Sequence, residues 1–291
     1  MGAEIRPLPR FEYFAPSTLG DVVKLLKEHG DGARLLAGGT DLLQNMKKRI
    51  TSPSAIVDLN KVPELAFIEM RGNELCIGAT MRLNEIKDAH VVQEKASVFA
   101  EAIGFLACHP IRNRATIGGN LCNASPAADT APPLLALDAS VKLQGPDGEK
   151  LVLLSEFFTG PGKTVRRPDE VLREVIIPCR EGRSAFLKLG RRKGFTLSIA
   201  SVAAFGAITD GKFDEVRVAL GAVAPTPIRS QKVEEALKGK EISEELIEKT
   251  AELVKEEVNP ITDIRASAAY RREMACVLTK RALIKVAMGE E

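Results

Sequence analysis

Two segments of this 291-residue chain carry residue types that can bind a phosphorylated ligand. The first reads Leu35-Leu36-Ala37-Gly38-Gly39-Thr40-Asp41-Leu42-Leu43. The second reads Thr116-Ile117-Gly118-Gly119-Asn120-Leu121-Cys122-Asn123-Ala124-Ser125-Pro126-Ala127-Ala128-Asp129-Thr130. Each sets glycines beside hydroxyl, amide and carboxylate side chains. Glycine lets a backbone approach a diphosphate closely and turn several N–H groups toward it. Two such loops suit a dinucleotide lying across both. The first loop is not G-x-G-x-x-G, and no Walker, G-x-S-x-G or H-E-x-x-H pattern occurs, so the common phosphate, hydrolase and zinc-protease signatures are excluded.

The remaining reactive side chains form no comparable pattern. Cys76, Cys108, Cys122, Cys179 and Cys276 are odd in number and contain no C-x-x-C pair. That argues against a disulfide scaffold and against the short-spaced ligand sets of zinc or iron–sulfur sites, so no metal is expected in this chain. Cys122 lies inside the second loop and is read as a small apolar residue in a packed turn. His29 precedes Gly30, where a cation at a helix C-terminus suits the dipole. His90 sits in a polar helical stretch. His109 precedes Pro110 just upstream of the second loop and is open to a cofactor or partner contact.

The elements that must position these loops follow from the pattern. Residues 1–60 read as a small α/β unit. Ser17 caps a helix through Val22, Val23, Leu25 and Leu26 that stops at Gly30. A strand over Arg34–Ala37 runs into Gly38-Gly39, Thr40-Asp41 cap a helix over Leu42–Arg49, and Ala55–Leu59 is a buried strand. This order puts the first loop at a helix N-terminus, where N–H groups and dipole favour phosphate. Residues 61–178 hold a hairpin (Leu65–Met70 and Glu74–Gly78 around Arg71-Gly72-Asn73), helices over Leu83–Glu94 and Ser97–Leu106, a second hairpin around Gly145-Pro146-Asp147-Gly148, and a strand over Leu172–Ile177. Residues 179–291 hold three strands (Ala185–Leu189, Ile199–Thr209, Glu215–Gly221), then helices over Ser230–Lys238, Glu241–Val258 and Ser267–Met288.

Composition bounds the partners. Hydrophobic residues make up 45% and charged residues 27%, as in ordinary globular proteins. With 41 basic against 39 acidic residues the net charge is +2, which gives no electrostatic case for nucleic acid. No apolar run approaches the roughly 20 residues of a membrane span. The segment Met1–Pro7 lacks the apolar core of a signal peptide, so a cytoplasmic location is expected.

At this point the sequence resembles a known family, the FAD-binding medium subunits of the molybdenum hydroxylases (the xanthine dehydrogenase and carbon monoxide dehydrogenase group). The resemblance covers nearly the whole chain. It rests on Ala37-Gly38-Gly39-Thr40-Asp41-Leu42 and on Ile111-Arg112-Asn113-Arg114-Ala115-Thr116-Ile117-Gly118-Gly119-Asn120-Leu121, continuing through Ala124-Ser125-Pro126-Ala127-Ala128-Asp129. It implies an α+β fold: a two-subdomain FAD-binding domain of PCMH type (VAO-like) over 1–178, with subdomains 1–60 and 61–178. A domain of CO dehydrogenase flavoprotein C-terminal type follows over 179–291, a three-stranded antiparallel sheet plus helices.

The same resemblance implies cofactor contacts. Leu36, Ala37, Gly38, Gly39, Thr40, Asp41 and Leu42 would wrap the FAD diphosphate, with N–H groups of Gly38 to Asp41 aimed at its oxygens. Thr116, Ile117, Gly119, Asn120 and Asn123 belong to the loop holding it from the other side. Ser125 and Asp129 would bind the adenosine end, Asp129 at a ribose hydroxyl. Leu106 would lie near the flavin, Leu172 against the isoalloxazine, and Lys188 at its pyrimidine edge, where a cation stabilises negative charge. The family often has Asp-Ile-Ala where this chain has Ser198-Ile199-Ala200, within Arg191-Arg192-Lys193-Gly194-Phe195-Thr196-Leu197 and onward. The inserted cysteine cluster of 4-hydroxybenzoyl-CoA reductase medium subunits is missing.

The implied function is electron transfer. A large partner subunit would hold molybdopterin and a small one [2Fe–2S] clusters, in a dimer of heterotrimers, with electrons passing through FAD here to NAD, a quinone or another acceptor. Two other readings stand beside it. One is a stand-alone FAD oxidoreductase of the same fold, for which His109 and Cys122 are the candidate reactive groups. The other is a scaffold that has lost electron transfer, toward which Ser198 leans.

Overall fold

The computed structural model describes residues 7–192 and 194–289; Lys193, the Met1–Pro7 segment except Pro7, and the outer ends of the expected domains lie outside them. The first sheet has three short parallel strands, β1 (Glu12–Phe14), β2 (Ala33–Leu36) and β3 (Ala55–Asp58), in the order β1-β3-β2. The central strand β3 is buried along its whole Ala-Ile-Val-Asp length, as a parallel strand covered on both faces must be. Helix α1 (Leu19–His29) covers it with Leu19, Val22 and Leu26. Its cap is Thr18, not Ser17, because the Thr18 hydroxyl accepts the Asp21 N–H at 3.1 Å. Helix α2 (Leu42–Lys47) follows β2 through the first glycine loop.

The second sheet is antiparallel. Strands β4 (Ile68–Arg71), β5 (Glu74–Gly78), β6 (Ser140–Gly145) and β7 (Gly148–Leu153) are joined, past a small hairpin β8 (Phe158–Gly160) and β9 (Lys163–Thr164), by β10 (Val171–Pro178). The order is β4-β5-β10-β6-β7, with β10 central. Helices α3 (Leu83–Asp88), α4 (His90–Lys95), α5 (Ser97–Phe105), α6 (His109–Arg112), α7 (Ile117–Asn123), α8 (Ala131–Ala136) and α9 (Leu154–Phe157) accompany this sheet. The single helix expected over Leu83–Glu94 is broken at Ala89, whose backbone is extended. In a straight helix Ile86 and Val92, six residues apart, would point about 120° from each other. The break lets both bury fully.

The third sheet runs in chain order: β11 (Arg183–Leu189), β12 (Ala200–Thr209), β13 (Lys212–Gly221) and β14 (Ile228–Arg229). The expected three strands gain a fourth of two residues, too short to leave a periodic signal. Strand β12 is mostly apolar and buried over Ala200–Gly206 because that stretch is covered on both sides. Ala203 and Phe205 face the side of α8, and Val202 and Ala204 face α12 (Ala268–Met288). Gly206 lets α12 approach: a Cβ there would stand 2.7 Å from Val286 Cγ1. Helix α10 (Gln231–Leu237) follows β14. The predicted Glu241–Val258 helix begins at α11 (Glu244–Ala251), where the Ser243 hydroxyl caps the Leu246 N–H, and tightens to 3-10 geometry over Glu252–Glu256.

Two ionic braces lock this third layer. Asp138, at the end of α8, faces the guanidinium groups of Arg180, Arg217 and Arg229. Arg271, buried on α12, donates to the Ile199 and Ala222 carbonyls and to Asp263 at 2.7, 3.2 and 2.8 Å. Burial pushes the Asp263 carboxyl up, but the N–H groups of Arg265 and Ala266 and the Arg271 and Arg265 guanidiniums outweigh it and hold the carboxyl well below the usual range. A depressed folded-state pKa contributes stability above the unfolded value of about 3.9 and loses it as pH falls toward the folded one. Thermal unfolding of Asp263→Asn should therefore fall below wild type by several degrees at pH 7, and the gap should narrow steadily below pH about 4. A gap of constant size across that range would show that Asp263 does not act as a carboxylate.

Candidate functional site

The first glycine loop leaves β2 at Leu36, whose carbonyl takes the Leu59 N–H at 2.8 Å. The next carbonyl, Ala37, accepts from Asn60 Nδ2 at 3.1 Å, and Asn60 is itself held by Asp58. Gly39 then turns with φ +71°, a conformation glycine adopts without strain. Beyond this point the N–H groups of Gly38, Gly39, Thr40, Asp41 and Leu42 have no acceptor among the described residues. The expected side-chain cap is not made: Asp41 holds the N-cap position in a helical conformation without bonding the first turn. The loop therefore presents consecutive free donors, which is what an anion needs.

The second loop behaves differently. Thr116 caps α7 by accepting the Gly119 N–H at 3.2 Å. The N–H groups of Ile117, Gly118 and Asn120 go to the carbonyls of Met81, Ala79 and Thr116 at 3.1, 2.9 and 2.9 Å. Over residues 117–120 the expectation that this loop also offers backbone donors is corrected: capping and tertiary pairing take those four N–H groups. Its glycines serve approach. A Cβ at Gly118 would meet Ala79 Cβ at 2.7 Å, and one at Gly38 would meet the Arg114 carbonyl oxygen at 2.0 Å. The two loops thus touch through Gly38 and the residues just before Thr116.

Between them lies a cleft of about 680 Å³, within the range of cofactor sites. Ala37, Gly38, Gly39, Thr40, Asp41 and Leu42 line one wall. Thr116, Gly119, Asn120, Asn123 and Leu172 line the rest of the predicted surface. Leu36, Leu106, Ile117, Ser125, Asp129 and Lys188 fall outside the lining. Ile117 is wholly buried, and the Ser125 hydroxyl accepts the Ala127 N–H within its own turn. Leu106 is buried, its carbonyl taken by Arg112, while Arg112 and His109 both hold Asn84.

Asp129 and Lys188 form a separate buried unit. Lys188 Nζ lies 2.6 Å from Asp129 Oδ2, and both side chains are about 95% buried. Lys188 also donates to the Phe105 carbonyl at 3.0 Å, and the Ser198 hydroxyl donates to Asp129 Oδ1. Burial pushes the Asp129 carboxyl up, while Lys188 and Ser198 oppose that shift. A ribose role for Asp129 at one end of a dinucleotide and a pyrimidine-edge role for Lys188 at the other cannot both stand, because the two are in contact. Leu172, expected against the isoalloxazine, shares the cleft with the glycine loops.

Two cations in the cleft escaped sequence reasoning. Arg34 is held by the Asp31 and Ala33 carbonyls, and Arg166 by those of Arg167 and Glu170. Isolated arginines carry no motif. Cys122 lines the cleft beside Arg166; burial raises its thiol and Arg166 opposes that.

A glycine-cradled cleft with a run of unpaired N–H groups fits a diphosphate-bearing cofactor. Comparison with known proteins defines the class: residues 9–180 match the FAD binding domain in molybdopterin dehydrogenase, and residues 185–286 match the CO dehydrogenase flavoprotein C-terminal domain. The chain belongs to the FAD-binding medium subunits of the molybdenum hydroxylase family, an oxidoreductase subunit whose cofactor is FAD. It is 35% identical over 277 residues to the carbon monoxide dehydrogenase medium chain of Hydrogenophaga pseudoflava, covering 94% of this chain and 96% of that one. It is 33% identical to the glyceraldehyde dehydrogenase medium chain of Sulfolobus acidocaldarius over 96% of this chain and 99% of the other. The solved carbon monoxide dehydrogenase from Hydrogenophaga pseudoflava superposes with a TM-score of 0.94 at 35% identity, over 98% of this chain and 99% of its own. The resemblance read from the glycine loops, and the mixed α+β fold with it, is thereby established.

Two variants probe the site's construction. Gly38→Ala should lower the thermal midpoint and reduce FAD uptake together, because backbone must move. Gly104→Ala, where a Cβ meets nothing within 4 Å, should leave both unchanged or gain a few tenths of a kcal/mol. Lys188→Met should cost about 3–5 kcal/mol in denaturant unfolding, since it strands a buried carboxylate; a cost under about 1 kcal/mol would show that the pair behaves as a surface one.

Proposed function

We propose that this chain is the electron-transfer subunit of a complex with a large molybdopterin-binding subunit and a small [2Fe–2S] subunit, assembled as a dimer of heterotrimers. Bound FAD supplies the redox chemistry, relaying electrons from the partner's clusters to an external acceptor such as NAD or a quinone. The observation that carries the reading is the run of N–H groups from Gly38 to Leu42 without an acceptor among the described residues, in a segment lining a cleft that the Thr116–Asn123 segment also lines. Relatives named for carbon monoxide and for glyceraldehyde match this sequence along nearly their whole length. Substrate choice therefore lies in another subunit.

In this reading residues 1–178 bind the cofactor, and residues 179–291 contribute Lys188 and Ser198 at one end of the site. The Gly38–Leu42 donors hold the diphosphate, and Arg34 and Arg166 offset its charge. Asn120 and Asn123 add side-chain donors, Thr116 packs beside the diphosphate, and Leu172 lies against the isoalloxazine. Leu106, Asp129 and Lys188 are assigned together to the flavin end, since their contacts leave Asp129 and Lys188 inseparable; Ser198 closes that unit. Ser125, Leu36 and Ile117 shape the loops. The five free cysteines suit a reducing cytoplasm, and no described helix is long and apolar enough to cross a membrane.

The full chain, purified and mixed with FAD, should show the two visible bands of oxidised flavin, keep them through gel filtration, and release FAD rather than FMN on denaturation. Co-expression with neighbouring genes should recover a complex containing molybdenum and iron. A chain that retains no flavin, alone or in such a complex, would sink the cofactor reading. A flavin-loaded chain without metal-containing partners would favour the stand-alone oxidoreductase.

A further inference from the structure

We infer that Thr130 is a positioning residue for the cofactor cleft: it fixes the side-chain amide of Asn120 so that the NH₂ group, not the carbonyl oxygen, faces the bound anion. The inference rests on the diphosphate reading above. Asn120 lines the cleft, and its backbone N–H is already spent on the Thr116 carbonyl. Through residues 117–120 the second loop has no free backbone donor left, so the donors this stretch can turn on an anion are on side chains.

An amide can sit in two orientations that differ in which atom points where. Thr130 decides between them. Its side chain is completely buried, and its hydroxyl has one partner among the described residues, Asn120 Oδ1. With Oδ1 toward Thr130 the hydroxyl proton has an acceptor. With the amide reversed, Nδ2–H would face the hydroxyl oxygen and the buried hydroxyl proton would be stranded, at the cost of an unmade hydrogen bond. The buried hydroxyl thus sends Nδ2 into the cleft. A carbonyl oxygen in that place would repel a diphosphate.

Thr130 is buried and held from both sides. It stands at the N-cap of α8, its carbonyl accepting the Leu134 N–H. Its neighbour Asp129 is gripped by Lys188 and Ser198 from the third layer. One residue therefore ties the polarity of the cleft wall to the docking of the C-terminal layer.

FAD affinity of the full chain, measured by fluorescence titration, tests this. Thr130→Val, nearly isosteric, should weaken binding about tenfold, and Thr130→Ser should restore it. In an Asn120→Leu background the Thr130→Val change should cost nothing further, because there is no amide left to orient. Asn120→Asp keeps the Thr130 hydrogen bond but shows an acceptor to the cleft, and should bind more weakly than Thr130→Val. Thermal midpoints without FAD report any folding loss, and Thr130→Ala replaces Thr130→Val should the latter not fold. Unchanged affinity in Thr130→Val, or an equal loss on the Asn120→Leu background, overturns the positioning role while leaving the FAD site standing. A wild-type chain that takes up no FAD overturns both.

Discussion

The constraint on which the site depends is the contact of Gly38 with the backbone carbonyl of Arg114. Any side chain at residue 38 would occupy the same space as that oxygen. The contact sets how closely the parallel β1–β3 unit approaches the β4–β10 unit, and hence the width of the cleft between them. Within the second unit, Gly118 lets the start of α7 lie close against Ala79. Close approach is needed because a diphosphate is small and its recognition is short-ranged. Donors more than about 3.2 Å away hold it weakly.

With the distance set, the two loops divide the work. The first loop keeps its N–H groups unpaired because Asn60 turns the Ala37 carbonyl aside and no side chain caps α2. Such groups are costly if left dry, and water or an anion can satisfy them in an open cleft. The second loop spends the N–H groups of residues 117–120 on Thr116, Met81 and Ala79. One wall is an electrostatic nest; the other is a surface that carries side-chain amides.

The third layer is joined to this site by charge as well as by apolar packing. Phe186, Ala203, Phe205 and Ala219 continue the core of the second sheet. Asp138 gathers three arginines at one point of the junction, and Asp129 meets Lys188 at another. Paired charges in a buried junction give direction where hydrophobic contact does not, because an unpaired buried charge is strongly penalised. Ser198, which stands where the family often has aspartate, completes the Asp129 shell by donating to it. A second carboxylate there would face the first.

Much of this was determined by the sequence alone. The two glycine loops, the strand–loop–helix order around the first, and the family resemblance they carry are local features, legible because glycine, caps and apolar period act over a few residues. The approximate extent of most strands was legible for the same reason. Tertiary structure alone decided which N–H groups remain free, since the acceptors of Ile117 and Gly118 lie about forty residues earlier in the chain. It also brought Arg34 and Arg166 to the cleft, broke the helix at Ala89 to bury Ile86 and Val92, and placed Asp129 against Lys188, fifty-nine residues away. Those outcomes depend on partners distant in sequence, and a linear pattern holds no record of which buried group meets which.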